Sequence, residues 1–287
     1  MKDIAVLMPI YNGEKFLAEQ INSIFSQKDV KIDLYISDDG STDNSLQVLS
    51  EFEDKINLVP RKNAIGSAGL SFLQLIYDVD FSIYEYVAFS DQDDIWLSGK
   101  LKRALEVLKG HSAFGYSAND IAFWPDGRYV NSKKSLAQRK YDHYFESIGR
   151  GCSYVVSSFA LQCFKDEVLS NGIPQISHVM HDWLIYAYFR ERNMKWVADD
   201  YVALWYRQHF DNELGVNHGL RAIRKRLNLI RNGWYRKEIS NIFDLVNPSH
   251  NVNEVLSRKW ILRNFNEIRR SSSHRFFLVL YSLFFKL

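Results

Sequence analysis

The chain has 287 residues, 46% of them hydrophobic and 15% aromatic, which suits one sizeable α/β domain, alone or with an appendage, and excludes a disordered chain. Its two cysteines, Cys152 and Cys163, form no CxxC pair, which argues against a disulfide scaffold or a zinc-thiolate site and for a reducing compartment. The formal charge of +2 hides a division: from Leu220 onward 14 lysines and arginines face 4 acidic residues, so a tail of +10 follows a body of −8 and calls for an anionic partner.

The first apolar run, Ile4 to Met8, is closed by Pro9 and the turn Tyr11-Asn12-Gly13. It is too short for a signal peptide and has no small-residue cleavage site, so it reads as the first strand of a cytoplasmic protein. Leu17, Ile21, Ile24 and Phe25 then fall at helical spacing within Glu14 to Gln27. A second strand, Ile32 to Ile36, ends in the acidic turn Ser37 to Asp43, where Gly40 permits a sharp bend and Ser41, Thr42 or Asp43 can cap a helix over Ser45 to Phe52. The third strand, Ile56 to Val59, leads through Arg61-Lys62-Asn63 and Gly66 to a helix over Leu70 to Tyr77, and Tyr86 to Phe89 is a buried fourth strand. This rhythm implies a parallel sheet with right-handed crossovers, whose strand ends share one edge, so the acidic turns after Ile36 and Phe89 can line a single crevice. No GxGxxG follows the first strand and no GxxxxGK[ST] occurs, which argues against dinucleotide redox chemistry and P-loop phosphoryl transfer.

Ser90-Asp91-Gln92-Asp93-Asp94-Ile95-Trp96 packs three carboxylates into four positions at the end of that fourth strand. Like charges so close repel, and a hard divalent cation, Mg²⁺ or Mn²⁺, relieves the repulsion while also binding substrate phosphates. The alternative is an acidic loop that caps a helix starting near Leu97, with Asp94 or Ser98 as N-cap and Lys100 as a surface charge.

Further along, Phe114 to Ser117 reads as a fifth strand, and the polar stretch Arg128 to Arg150 as a mobile loop or short helix over the site. Cys152 reads as an inert buried residue. His181-Asp182-Trp183 opens a helix, whose first turn favours a carboxylate electrostatically whether or not it reacts. His178 and His181 alone make a thin case for a histidine metal site. Val202 to Tyr206 is a strand, ending in Arg207-Gln208-His209.

Met8-Pro9-Ile10-Tyr11-Asn12, the Ser37 to Asp43 turn, Asn63 with Gly66, and Ser90 to Trp96 together resemble an inverting family 2 glycosyltransferase. The Asp-Gln-Asp-Asp-Ile-Trp form, with Tyr206-Arg207-Gln208-His209 downstream, is similar to bacterial rhamnosyltransferases of surface-polysaccharide assembly. The resemblance runs from about Ile4 to about Gly215. It implies a GT-A fold, a Rossmann-like mixed and mainly parallel sheet flanked by helices, over residues 1–219, with a nucleotide-sugar half to about 110 and an acceptor half beyond it. It further implies that Asp38 and Asp39 hold base and ribose with Pro9 and Tyr11 flanking the base, that Asn63 lies on the donor side, and that Asp91 meets the ribose or binds the metal through water. Asp93 would be the direct metal ligand, with His209 completing the shell and Arg207 on the diphosphate. Asp182 falls where the family has its catalytic base, because inversion is a single displacement in which one carboxylate takes the acceptor proton. Asp94 reads instead as the cap of the next helix.

Residues 220–287 form a basic helical appendage outside that resemblance. Leu220, Ile223, Leu227, Ile230 and Trp234 share a helical face, with Arg221, Arg224, Lys225, Arg226 and Arg231 around the rest, the pattern of a helix lying on anionic lipid. Phe276 to Phe285 is an apolar helix of ~15 Å, too short for a hydrocarbon core of ~30 Å. Packing of these helices on the body or on a second copy is the alternative, and no pattern specifies an oligomeric state. Nucleic acid is not expected, since no recognition motif accompanies the charge. The reading is a metal-dependent transferase using a nucleoside diphosphate sugar and a lipid-linked acceptor at the inner membrane face. A sugar nucleotidyltransferase is disfavoured because Pro9 to Gly13 lacks the Gly-rich basic loop those enzymes share, and the intact set of aspartates argues against a non-catalytic scaffold.

Overall fold

The computed structural model describes residues 2–61, 63–173, 178–209 and 232–284. The chain opens with β1 (Lys2–Ile10), α1 (Leu17–Phe25), β2 (Ile32–Asp38), α2 (Ser45–Ser50), β3 (Ile56–Leu58), α3 (Ala68–Asp78) and β4 (Tyr84–Phe89), the alternation the apolar runs imply. There follow β5 (Ile95–Trp96), α4 (Lys100–His111), β6 (Gly115–Phe123), β7 (Tyr129–Ser132), β8 (Val155–Ser157), α5 (Ser158–Val168), α6 (His181–Glu191) and β9 (Trp196–Arg207). The described C-terminal part holds α7 (Trp234–Val246), α8 (Val252–Val255), α9 (Arg258–Arg263) and α10 (Ser272–Phe284).

The strands form one sheet in the order β3-β2-β1-β4-β8-β6-β9-β5, with β7 beside β6. β1 pairs in parallel with β2 on one side and β4 on the other, so the chain reverses direction across the sheet at β1. A crevice opens at such a switch point, beyond the carboxyl ends of the strands. From β4 onward the sheet is mixed: β8 runs antiparallel to β4 and β6, β5 antiparallel to β9, and β6 parallel to β9. The architecture is the mixed, mainly parallel α/β sheet implied by the resemblance.

Two expected strands are longer than their apolar runs. Phe114 to Ser117 becomes β6, reaching Phe123, and Val202 to Tyr206 becomes β9, starting at Trp196, because the two pair along their length with a register shift near Asn119. Polar residues inside β6 hide this from the pattern. Asn119 accepts the main-chain N–H groups of Lys134 and Ser135, and Asp120 pairs with Arg150. The stretch Arg128 to Arg150 contains β7 and a 3₁₀ turn at Asp142–Tyr144. The helix expected near Leu97 begins at Lys100 with Gly99 as its N-cap, which corrects the assignment of Asp94 or Ser98 as its cap. The intervening β5 pairs with β9 and turns Asp94 inward.

Alternation along β1 divides the core between the faces of the sheet. Ile4, Val6 and Met8 pack with Leu17, Ile21 and Ile24 of α1 and Leu101 and Leu108 of α4. Ala5 and Leu7 face α3, α5 and α6. The second face also takes in Tyr235, Ile239, Ile242 and Phe243 of α7, together with Leu256, Ile261, Ile268 and Leu278, which pack in one cluster with Phe145, Trp183 and Tyr188. The described C-terminal helices are therefore packed on the body, which is the alternative weighed above. The basic face expected over Leu220 to Arg231 lies outside the described residues. The apolar run from Phe276 falls in α10, and no described helix is long and apolar enough to cross a membrane.

α3 meets the segment entering α6 at Gly69. A Cβ there would lie 1.8 Å from the Val179 carbonyl oxygen, so only glycine allows this approach. Gly69→Ala is expected to destabilise the fold by about 1–3 kcal/mol, read as a lower urea midpoint; an unchanged midpoint would mean the Val179 backbone yields freely.

Candidate active site

Three loops at the carboxyl ends of β1, β2 and β4 are stitched together by side chains. The Gln92 amide both accepts from Tyr11 N–H and donates to Tyr11 C=O at 2.9 Å, tying the first loop to the acidic one. Asn12 N–H donates to Ser41 Oγ, Thr42 N–H donates to Asn12 Oδ1, and Gly13 N–H donates to Ser45 Oγ. Gly40, at φ 87°, makes the bend that presents Ser41. Asp38 accepts from Ser41 N–H and hydroxyl. Asp39 is fully committed: Arg61 donates to it at 2.7 Å and the N–H groups of Ile65 and Gly66 at 2.7 and 2.8 Å. It thereby shapes the loop carrying Asn63, which is exposed, as is Tyr11 at 55%. Pro9 is paired within β1 opposite Ser37.

The acidic turn faces inward. Burial, then Asp93, pushes the Asp91 carboxyl up to about 7. Asp94 is fully buried and its carboxyl is raised well above the usual range by burial and by Asp93 and Asp91. Its Oδ1 accepts from Arg207 N–H at 3.2 Å, while Oδ2 has no hydrogen-bond partner. β9 brings the downstream segment alongside: His209 Nε2 lies 2.6 Å from Asp93 Oδ2, and Arg207 Nε donates to Asp93 C=O at 2.9 Å. The Arg207 guanidinium sits between the rings of Phe16 and Phe123 and pairs with Glu19, so in this geometry it braces the Asp93 turn.

Beneath the turn lies Lys100, a surface charge in the helix-capping alternative. It is fully buried, donates to Cys152 C=O at 2.7 Å and sits 3.0 Å from the centre of the Trp96 ring. Burial pulls its ammonium down while Cys152, Asp94 and Asp91 hold it up. The Cys152 sulfur and one oxygen each of Asp91 and Asp94 lie within 4.8 Å of one another. Burial and these carboxylates push the thiol well up, so it lies beside them as a thiol rather than as a thiolate.

Across the crevice, Asp182 occupies the first turn of α6. Burial pushes its carboxyl up to about 6, opposed by Trp183 N–H, which donates to Oδ1 at 2.8 Å, and by the Ser147 hydroxyl, which donates to Oδ2 at 3.0 Å. The Asp182 carboxylate also acts on Asp91, adding to what burial and Asp93 do to raise it. His181 stacks on Phe72 at 3.9 Å and burial pulls it down to about 3, leaving it neutral. His178 pairs with Glu238.

The model for glycosyl transferase family 2 matches residues 5–168. The chain belongs to that family. It is 40% identical over 282 residues, 95% of this chain and 98% of the other, to the dTDP-rhamnosyl transferase RfbG of Shigella flexneri. It is 31% identical, over 53% of this chain and 59% of the relative, to the Escherichia coli UDP-Glc:alpha-D-GlcNAc-diphosphoundecaprenol beta-1,3-glucosyltransferase WfgD. Among solved structures it resembles S. aureus TarS 1-349 in complex with UDP-GlcNAc, with a TM-score of 0.57 at 15% identity over 98% of this chain and 87% of that one. The mannosyltransferase PcManGT of Pyrobaculum calidifontis has a TM-score of 0.52 at 13% identity over 99% and 89%. At such identities these two speak for the GT-A fold.

Several residues of this glycosyltransferase site have no sequence signal. Lys100, Ser147, Arg150 and Glu238 sit in unremarkable stretches, and only packing reveals them. Gln92 is legible as part of the acidic motif, but its double bond to Tyr11 is not.

Proposed function

We propose that this glycosyltransferase moves L-rhamnose from dTDP-rhamnose, with inversion, onto a lipid-linked glycan during bacterial surface-polysaccharide assembly. The observation that carries the reading is the 40% match to a dTDP-rhamnosyl transferase over nearly the whole of both chains. A lipid-linked acceptor is supported by the diphosphoundecaprenol named for the Escherichia coli relative.

The donor set fits a hard divalent cation. Asp93 and His209 offer oxygen and nitrogen in contact, Asp91 adds a second carboxylate, and repulsion within the turn is what a cation relieves. Asp93 and His209 would hold Mg²⁺ or Mn²⁺ directly, with Asp91 nearer the ribose or acting through water. When bound, such an ion takes up the charge that develops on the departing diphosphate. The protonated Cys152 is a poor ligand for it. Asp38, Pro9 and Tyr11 flank the base, and Asp39 and Asn63 shape the loop beside them. Asp182 takes the proton of the acceptor hydroxyl as that oxygen attacks the anomeric carbon from the face opposite the diphosphate. The new glycosidic bond forms as the bond to the diphosphate breaks.

For the membrane, α9 exposes Arg258, Lys259, Leu262 and Arg263, and α10 exposes Phe276 and Phe277 at 61% and 53%. Cations beside exposed aromatics suit an anionic lipid surface at the cytoplasmic face.

Four measurements test these assignments. dTDP with Mn²⁺ should raise the melting temperature by several degrees, more than UDP does, and chelator or Asp93→Ala should remove the rise; a larger shift with UDP would move the donor to a UDP-sugar. kcat/KM should be flat above about pH 6 and fall about tenfold per unit below it as Asp182 protonates. Because Asp182 is raised in the fold above the usual 3.8, the native state binds more protons between those values, and stability falls as pH rises through that window. Asp182→Asn should accordingly lose transfer by at least about 10²-fold while melting no lower than the parent at pH 7.5; undiminished transfer would remove Asp182 as the base. Finally, the protein should sediment with vesicles containing phosphatidylglycerol but not with neutral ones, and Phe276→Ser with Phe277→Ser should weaken this; equal partition to both vesicle types would exclude the charge-assisted mode.

A further inference from the structure

The carboxylate assigned as the base is oriented by a loop, and that loop is gripped by residues beyond the stretch matched by the family model. The loop is Phe145 to Gly149. Its Ser147 hydroxyl lies 3.0 Å from Asp182 Oδ2, 2.6 Å from Tyr154 Oη and 3.1 Å from Gly149 C=O. One hydroxyl has one proton to give. Tyr154, whose phenol burial holds well above its ordinary value, stays protonated and can donate to Ser147, leaving the serine proton for Asp182.

Arg270 holds the same turn from behind. Its two terminal nitrogens donate to consecutive carbonyls, Nη2 to Ser147 and Nη1 to Ile148, the latter at 2.8 Å. Its Nε and main-chain N–H both reach Glu146 Oε1, and Arg269 donates to Oε2 of the same carboxylate at 3.1 and 3.2 Å. Tyr235 of α7 donates to Phe145 C=O at 2.6 Å. The Arg270 and Glu146 side chains are only 8% and 11% exposed, so this is a buried fork rather than a surface pair. A planar guanidinium can bridge two carbonyls while bonding a carboxylate, and an ammonium cannot.

We propose that Arg270 is a positioning residue for transfer: by gripping the carbonyls of Ser147 and Ile148 it fixes the turn from which the Ser147 hydroxyl orients Asp182. The inference rests on the reading of Asp182 as the base. The charged group that acts on Asp182 is Glu238 from α7, and Asp182 in turn acts on Asp91; neither Glu238 nor Asp91 is altered by the variants below.

The test is a double-mutant cycle in the full chain with Arg270→Lys and Ser147→Ala, measuring kcat, KM for donor and acceptor, and the pH profile. Each single variant should lower kcat by on the order of tenfold to a hundredfold with both KM values within about twofold. Each should also move the acid limb of kcat/KM to higher pH, because the Asp182 anion loses a donor. Arg270 acting through Ser147 makes the double variant no slower than Ser147→Ala alone. Additive losses, or a fall in active protein with the acid limb unmoved, would overturn the proposal in favour of a purely structural clamp. Should Arg270→Lys not fold, Glu146→Gln loosens the same fork and enters the same cycle. Asp182→Asn run in parallel separates the two ideas: if it transfers sugar normally the base reading fails, and if it is inactive while Arg270 and Ser147 do not couple, only the positioning role fails.

Discussion

Mutual repulsion among carboxylates is the constraint on which this structure turns. Asp91, Asp93 and Asp94 end β4, and Asp182 approaches from α6, all in one cleft and mostly out of water. Burying that much like charge is unfavourable unless cations and hydrogen-bond donors surround it. The surrounding elements supply them. α4 sinks the Lys100 ammonium beneath the turn, β9 delivers the Arg207 N–H to Asp94 and the His209 imidazole to Asp93, and Arg150 adds a positive charge near Asp91 while pairing with Asp120.

The two sides of the cleft are built differently. Beyond β1, β2 and β4, short loops at adjacent strand ends brace one another through side-chain bonds, so the chain from β1 to β4 nearly completes that side. At the start of α6, Asp182 depends on remote segments. Ser147 donates to it from the Phe145 to Gly149 loop with Tyr154 bonded to that hydroxyl, Glu238 of α7 accepts from Met180 N–H just before α6, and Arg269 and Arg270 hold the loop from the far end of the chain. The C-terminal helices thus share a core with the rest of the chain and hold the loop that meets Asp182, while α9 and α10 keep an outer surface of cations and aromatics.

Much of the side built from β1 to β4 is legible in the sequence for a physical reason. Apolar runs of four or five residues broken by Gly, Pro and acidic turns specify buried parallel strands, and a strand end is where backbone N–H groups and polar loops gather. Asp38, Asp39, Asp91 and Asp93 stand at such ends, so composition and period together locate them. The expected strand ends at β6 and β9 fall short because Asn119, Asp120, Asp199 and Asp200 interrupt the apolar pattern; Asn119, Asp120 and Asp199 are buried with partners far away in the chain, and alternation carries no record of a satisfied buried polar group.

By itself the sequence determined the order of strands and helices in the first half, the position of the acidic turns, and the presence of a first-turn carboxylate at Asp182. Tertiary structure alone decided which carboxylates look inward, that Lys100 is a core cation rather than a surface one, and that Asp94 bonds β9 instead of capping α4. It also decided that Arg270 reaches a loop 122 residues away. Local pattern records which face of an element is apolar, whereas the partner of a buried charge is set by where the chain returns.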